Sequence, residues 1–236
     1  MPDGFAFRDR AVHLADADAL VLADLHVGKD ATSDVTFPLG ERADLVERLG
    51  ALLDRFAPAE VVFAGDVLHA FDRVPAGVPE TVATLERLVL ESGARLVVTP
   101  GNHDAMLDAV WSGRTPRTYR LADGTVVLHG HEPPEPDDRD APRYVVGHDH
   151  PKITIEGRDW PCFLYGEGCY RGADVLVLPA FTRLASGVAV NGTVGRGSTL
   201  RSPLTDDVDR FRPIVRDEGA DETRAFPPLG DLRRLL

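Results

Sequence analysis

Short apolar runs that stop abruptly at polar residues recur along this chain. Val21-Leu-Ala23 gives way to Asp24-Leu-His26, and Val61-Val-Phe-Ala64 ends in Gly65-Asp66-Val-Leu-His69. Arg95-Leu-Val-Val-Thr99 ends in Pro100-Gly-Asn-His-Asp104, Thr125-Val-Val-Leu128 in His129-Gly-His131, and Tyr144-Val-Val146 in Gly147-His-Asp-His150. Runs this short and rich in β-branched residues predict buried strands. Between them the apolar period changes. Leu45, Val46, Leu49, Leu52 and Leu53 share one face of a helix predicted from Glu41 to about Phe56, closed by Pro58. Val82, Leu85, Leu88 and Val89 do the same from Pro79 to about Ser92, where Gly93 ends the pattern. A short helix is predicted from Ala105 to Val110.

The rest is less regular. Residues 5–21 alternate loosely and turn at Asp16-Ala-Asp18, and residues 30–40 predict a loop. Residues 132–142, rich in Pro and Asp, predict an exposed, mobile loop. Shorter strands are predicted at Lys152–Glu156, Cys162–Tyr165, Asp174–Leu178, Gly187–Asn191 and Phe211–Arg216, with a short helix at Gly230–Leu236. No internal repeat or convincing linker divides the chain. The expected organisation is one α/β domain over residues 1–195, then an acidic extension, 196–236, packed on the same domain with a partly mobile loop.

At 236 residues the chain fits one sizeable core. No apolar run approaches the roughly 20 residues of a membrane helix. The N-terminus, Met-Pro-Asp-Gly-Phe, lacks a basic segment followed by an apolar core, so no secretory signal is expected and the cytoplasm is the default. The net charge is −12, and Lys29 and Lys152 are the only lysines. This composition is similar to that of proteins from salt-loving archaea, whose acidity serves solvation rather than partner choice. It argues against a broad DNA-binding face. Arg114, Arg117 and Arg120 come nearest to a basic cluster. Cys162 and Cys169, alone in an intracellular chain, are expected as reduced thiols.

The candidate chemistry lies where the strands stop, the usual place for ligands in an open α/β sheet. Five predicted strands finish on Asp24/His26, Asp66, Asn102/His103, His129 and His148/His150, taking five of the chain's eight histidines. On an extended segment, Asp24 and His26 would face the same side. Carboxylate, imidazole and amide oxygen together suit manganese, iron, zinc, cobalt or nickel. Seven candidate ligands exceed the needs of one ion but suit two sharing a bridge, the arrangement that clamps both oxygens of a phosphoester displacement.

Asp-x-His, Gly-Asp, Gly-Asn-His-Asp, His-Gly and Gly-His-x-His, in this order over roughly residues 20–150, resemble the motifs of the calcineurin-like metallophosphoesterases. A narrower resemblance is to the archaeal SbcD-related phosphoesterases and the bacterial ligase-associated endonuclease (PdeM) group. It rests on Ala23-Asp-Leu-His-Val-Gly-Lys29, Phe37-Pro-Leu-Gly40, Gly65-Asp-Val-Leu-His69 and Leu178-Pro-Ala-Phe-Thr-Arg183 through Gly187 and Asn191.

The resemblance implies a four-layer α/β/β/α sandwich, two mixed sheets flanked by helices, and two divalent cations, manganese before iron, zinc, nickel or cobalt. One cation would be held by Asp24, His26, Asp66 and His150. The other would be held by Asp66, Asn102, His129 and His148, with Asp66 bridging. It implies attack on phosphorus by a metal-activated hydroxide, with His103 at the leaving oxygen. Many members carry Asp three residues after the bridging Asp, to orient that histidine. Here the position is His69, and Asp104 is the expected substitute. Lys29, Asn102 and His69 are expected near substrate, His131 is unassigned between support and exposure, and His13 has no role.

The expected activity is phosphodiester hydrolysis, of nucleic acid or a nucleotide and in the manner of a DNA-repair nuclease. A small-molecule phosphomonoesterase or nucleotide phosphodiesterase is the alternative, and a non-catalytic scaffold ranks last because every ligand is present. No membrane partner is expected, and a homodimer is compatible with the sequence.

Overall fold

The computed structural model describes residues 3–32, 40–192 and 200–235. Strands β1 (Phe5–Arg8), β2 (Ala11–Leu14), β3 (Ala19–Leu22), β4 (Glu60–Ala64) and β5 (Arg95–Thr99) form a five-stranded sheet in that order. The first two pairings are antiparallel and the last two parallel. Parallel neighbours need long crossovers. Helices α1 (Glu41–Phe56) and α2 (Val78–Glu91) supply them, within a residue of the spans their periodicity predicts.

The chain continues through β6 (Thr118–Arg120), β7 (Val126–Leu128), β8 (Arg143–Val146), β9 (Pro151–Ile155) and β10 (Arg158–Pro161). It then makes β11 (Phe163–Tyr170), β12 (Ala173–Val177), the two-residue β13 (Val188–Ala189), β14 (Arg212–Asp217), β15 (Glu222–Ala225) and helix α3 (Leu229–Leu235). Seven of these strands form one sheet, ordered β15-β14-β11-β12-β8-β7-β6, while β10-β9-β13 form a small sheet beside it.

Side-chain alternation assigns each strand's two faces to two different cores. On β3, Leu20 and Leu22 meet α1 and α2, whereas Ala19 and Val21 turn to the opposite sheet. On β4, Val61 and Phe63 take the helix side, and Val62 and Ala64 the inner side. From the larger sheet Val127, Val145, Phe163 and Leu176 fill the same inner layer. Each such large side chain contributes about 1.5–3 kcal/mol relative to exposure, so the inner layer fixes the two sheets face to face. The outer face of the larger sheet, with Val126, Tyr144, Val146 and Val177, is covered by Ile153 of the small sheet, Leu204, Val208 and Leu229 of α3. The expected four-layer order is therefore present, its last layer thin.

Three strands, β6, β10 and β15, form where the apolar pattern predicts none. The Pro- and Asp-rich stretch expected as a free loop is tied down: Arg120 reaches Asp138 at 3.0 Å and Asp140 at 2.9 Å, and the Tyr144 hydroxyl donates to the Asp138 carbonyl at 2.9 Å. Residues 200–235 add β14 to β11, so the acidic end is built into the larger sheet. The boundary expected between 195 and 196 lies outside the described residues, as do residues 37–39 of Phe37-Pro-Leu-Gly40.

Candidate metal centre

The loops leaving β3, β4, β5, β7 and β8 meet at one place. Backbone pairing between the first two loops begins the assembly: Asp24 N–H donates to the Gly65 carbonyl at 3.0 Å, His26 to Asp66 at 2.9 Å and Val27 to Val67 at 2.8 Å. The extended segment that the sequence predicts for Asp24 and His26 does not form. Asp24 and His26 have φ of 58° and 48°, and Asp66, His148 and His150 are left-handed too, at 48°, 70° and 45°. Each such residue costs on the order of 1–3 kcal/mol. Five of the twelve non-glycine residues of this kind among the described residues are thus candidate ligands. The interlocked loops hold them there.

The side chains fall into two histidine pairs. His26 Nε2 and His150 Nε2 lie 3.3 Å apart, and His150 Nε2 is 3.1 Å from Asp24 Oδ1. His148 Nδ1 and His129 Nε2 lie 3.2 Å apart, with His129 Nε2 also 3.2 Å from Asn102 Oδ1. Asp66 stands between the pairs, its Oδ2 3.9 Å from His26 Nε2 and its Oδ1 3.4 Å from His129 Nε2. On His129, the Nδ1 edge faces the Ala64 carbonyl at 3.2 Å, which fixes the tautomer that leaves Nε2 a free lone pair. All seven expected ligands are therefore brought together. Asp24 also approaches the second pair, with Oδ1 3.7 Å from His129 Nδ1.

Small residues make this closeness possible. A Cβ on Gly101 would stand 2.1 Å from Asp66 Oδ1 and 2.4 Å from its backbone nitrogen, and one on Gly147 would stand 2.6 Å from Asp24 Oδ2. We expect Gly101→Ala to displace Asp66, cost about 1–3 kcal/mol as an overpacked site, and lose bound divalent metal. Thermal unfolding and elemental analysis read both, and an alanine variant with full metal content would contradict the geometry.

Burial lowers the pKa of His26 to about 3 and of His129 to about 4, and lowers that of His148. Burial also resists charge on Asp24 and on His150. Their mutual attraction overcomes it, lowering the pKa of Asp24 and raising that of His150. Asp66 is pushed up to about 8, first by burial and then by the charge of Asp24. A cation taking Asp66 as ligand must displace its proton. Apparent affinity for a divalent ion should therefore rise with pH by about tenfold or more per unit, at least one proton being released, and level off above about pH 8. Calorimetry at pH 7 in buffers of different ionisation heat counts that proton, and a buffer-independent heat would refute this.

His103 faces the same opening. Its backbone N–H donates to Asp66 Oδ1 at 2.8 Å, and its Nε2 lies 3.9 Å from Asp66 Oδ2. Its Nδ1 points at the backbone carbonyl of His69, 2.7 Å away. That carbonyl, and not Asp104, orients the ring. The oxygens of Asp104 are occupied by the backbone N–H groups of Val67, Leu68 and Gly101, at 3.2, 2.9 and 2.8 Å. The expected role for Asp104 is corrected accordingly: it braces the loop of Asp66 against the loop of His103.

Two further carboxylates brace the centre in ways the sequence reading missed. Glu41, first residue of α1, accepts from Gly28 N–H at 2.7 Å and Lys29 N–H at 3.0 Å, just past His26. Asp149 accepts from Arg201 N–H at 2.7 Å and Ser202 N–H at 3.4 Å, between His148 and His150. Asp149, set between His148 and His150, carries the available signal, whereas Glu41 starts α1, well along the chain from His26. The late motif also finds a place here, because Phe181 N–H donates to the Ala23 carbonyl at 2.8 Å and Arg48 to the Phe181 carbonyl at 2.7 Å.

The remaining expected residues sit around the edge. Burial first, and then the charge of Lys29, lower the pKa of His69 to about 4, and the same lysine weakly opposes the raised pKa of His150. The ring of His69 lies 5.7 Å from that of His103, and His131 lies 5.1 Å from His129. Nδ1 of His26, His69 and His131 is buried without a partner among the described residues. A cleft of about 250 Å³ opens beside His129 and His131, near Arg117. Arg117 is paired with Glu132, and Arg120 with Asp138 and Asp140, so most of the basic cluster is neutralised. His13 is remote, stacked on Phe56 at 4.8 Å. Both cysteines are free thiols.

No helix among the described residues is long and apolar enough to cross a membrane. No curated protein matches the chain in sequence. Among solved structures, Pseudomonas putida nuclease MPE is similar at a TM-score of 0.60 and 23% identity, over 92% of this chain and 92% of that one. Yfce, a phosphoesterase from E. coli, aligns over 89% of this chain and 98% of its own at 13% identity, with a TM-score of only 0.44. Residues 18–152, more than half the chain and every residue of the two histidine pairs, match the family described as calcineurin-like phosphoesterase. The chain therefore belongs to the calcineurin-like phosphoesterases, hydrolases that act on phosphoester bonds.

Proposed function

We propose that this chain hydrolyses phosphodiester bonds of nucleic acid or a nucleotide-containing diester at two divalent cations, manganese being the expected ion. The observation that carries the reading is Asp66, a single carboxylate within 3.9 Å of His26 and 3.4 Å of His129. A carboxylate can join two cations, whereas a neutral imidazole cannot. Asp24, His26 and His150 with Asp66 would hold one ion, and Asn102, His129 and His148 with Asp66 the other. The donor set fits: burial keeps His26 and His129 neutral, Asp24 is held ionised, and imidazole, carboxylate and amide oxygen suit manganese. Two such ions supply Lewis-acid polarisation of the phosphoryl oxygens and a water of lowered pKa as nucleophile.

The chain's own residues do the rest. His103 is anchored through Nδ1 on the His69 carbonyl, so its Nε2, when protonated, is free to give its proton to the departing oxygen. Asp66 accepts the His103 backbone N–H and thereby ties the proton donor to the shared ligand. The fold shared with a nuclease supports the diester over the monoester, and the resemblance to ligase-associated endonucleases supports a place in DNA repair.

The test is purified protein with manganese, offered a chromogenic bis-phosphodiester, a monoester and single-stranded DNA. Diester and DNA cleavage is expected, and cleavage of the monoester alone would reject the reading in favour of a small-molecule phosphatase.

A further inference from the structure

Two large apolar side chains are more than half exposed among the described residues, Leu90 at 56% and Phe71 at 52%. Leu90 lies in the last turn of α2, before β5 begins, away from the strand ends where the centre gathers. Phe71 lies in the loop beyond His69, and its ring centroid is 3.9 Å from that of His103, with the planes tilted by 32°. A phenylalanine thus rests on the candidate proton donor and turns half of its surface to water.

The position decides what that surface can do. His103 serves the departing oxygen, so a ring stacked on His103 borders the path of the leaving group. One face of Phe71 is taken by the imidazole, which limits its motion and presents the remaining surface as a platform. Aromatic platforms of this kind stack nucleobases for about 1–3 kcal/mol each. Charge, supplied by the two cations and Lys29, grips the phosphate but does little to tell one leaving group from another. The net charge is −12, Arg117 is paired with Glu132, and Arg120 with Asp138 and Asp140. Short-range stacking is the stronger source of selectivity that remains.

We propose that Phe71 determines specificity on the leaving-group side: its exposed face stacks on the base of the departing nucleoside, so the enzyme prefers diesters whose leaving group carries a nucleobase. The proposal rests on the diester reading above and names its substrate class. The base could belong to a strand of nucleic acid or to a small nucleotide diester, and the two sources share this chemistry.

The experiment uses the manganese-loaded full chain and three dinucleotides: dithymidine phosphate and the two analogues in which one or the other base is replaced by hydrogen. Product analysis of the first identifies the departing nucleoside. For the wild type, removing the base on that side should lower kcat/KM by about 5- to 150-fold, mostly through KM, while removing the other base should matter less. Phe71→Ala should lose a similar factor on the intact dinucleotide, and in that variant the missing base should cost less than twofold. Phe71→Trp should retain the preference.

Equal losses for Phe71→Ala on all three substrates, carried by kcat, would overturn the proposal and leave the ring as a support for His103. Wild-type indifference to the missing base would overturn it as well. Turnover of p-nitrophenyl phosphate with no cleavage of any dinucleotide would instead sink the diester reading, and this proposal with it. A single-stranded dodecamer cleaved faster than the dinucleotide points to nucleic acid as the source of the base, and equal rates point to a small diester.

Discussion

Asp66→Asn should cut diester turnover by on the order of 10⁴-fold and leave the protein with fewer than two divalent ions per chain. The substitution keeps the size and shape of a side chain that is only 3% exposed, so the fold should survive it. What it removes is charge and one acceptor. The amide can still accept the His103 N–H with its oxygen, but it cannot offer an oxygen to each histidine pair as the carboxylate does. The proton that Asp66, with its raised pKa, must give up disappears with it, so metal affinity in the variant should lose most of its dependence on pH between 7 and about 8. Steady-state rates with elemental analysis read the effect. A variant that keeps two ions and turns over within tenfold of wild type would contradict the shared-ligand role.

His103→Ala should lose about 10²- to 10⁴-fold in turnover while keeping its metal, the range expected for removing a proton donor. Alanine retains the backbone N–H that His103 donates to Asp66 and loses, toward the ligands, an edge-to-face ring contact with His26 at 4.9 Å and the 3.9 Å approach to Asp66 Oδ2. The loss should depend on the leaving group. A nitrophenolate departs without help and should suffer least, whereas an alkoxide such as a sugar hydroxyl should suffer most. Equal losses on both, or loss of metal, would assign the ring a structural task instead. His69→Ala makes a useful contrast, because the backbone carbonyl that orients His103 survives the substitution.

The parts of this structure that were legible in the sequence are those written in side-chain chemistry and period. The apolar face of Leu45, Leu49 and Leu52 marked α1 because helix burial follows a 3.6-residue repeat, and the runs at Val61 and Tyr144 marked buried strands. The histidines and Asp66 stood out because they close those runs. The illegible parts depend on backbone conformation and on distant neighbours. Nothing in Asp24-Leu-His26 announces two left-handed residues, since the pairing that holds them comes from residues 65–67. Chain adjacency suggested Asp104 as the partner of His103, but its carboxylate satisfies three backbone N–H groups that would otherwise be stranded in a buried loop. Strand β6 carries Thr118, Tyr119 and Arg120, an edge of the sheet with no apolar run to reveal it. Phe71 carries no signal in the sequence, because the ring it rests on, His103, follows a different strand.

The most direct test of the account is a crystal grown with manganese and measured at the manganese absorption edge. Two anomalous peaks roughly 3.5–4 Å apart, one beside His26 and His150, the other beside His129 and His148, with Asp66 between them, are the predicted result. A single peak, or a pair of peaks that Asp66 does not join, would contradict it.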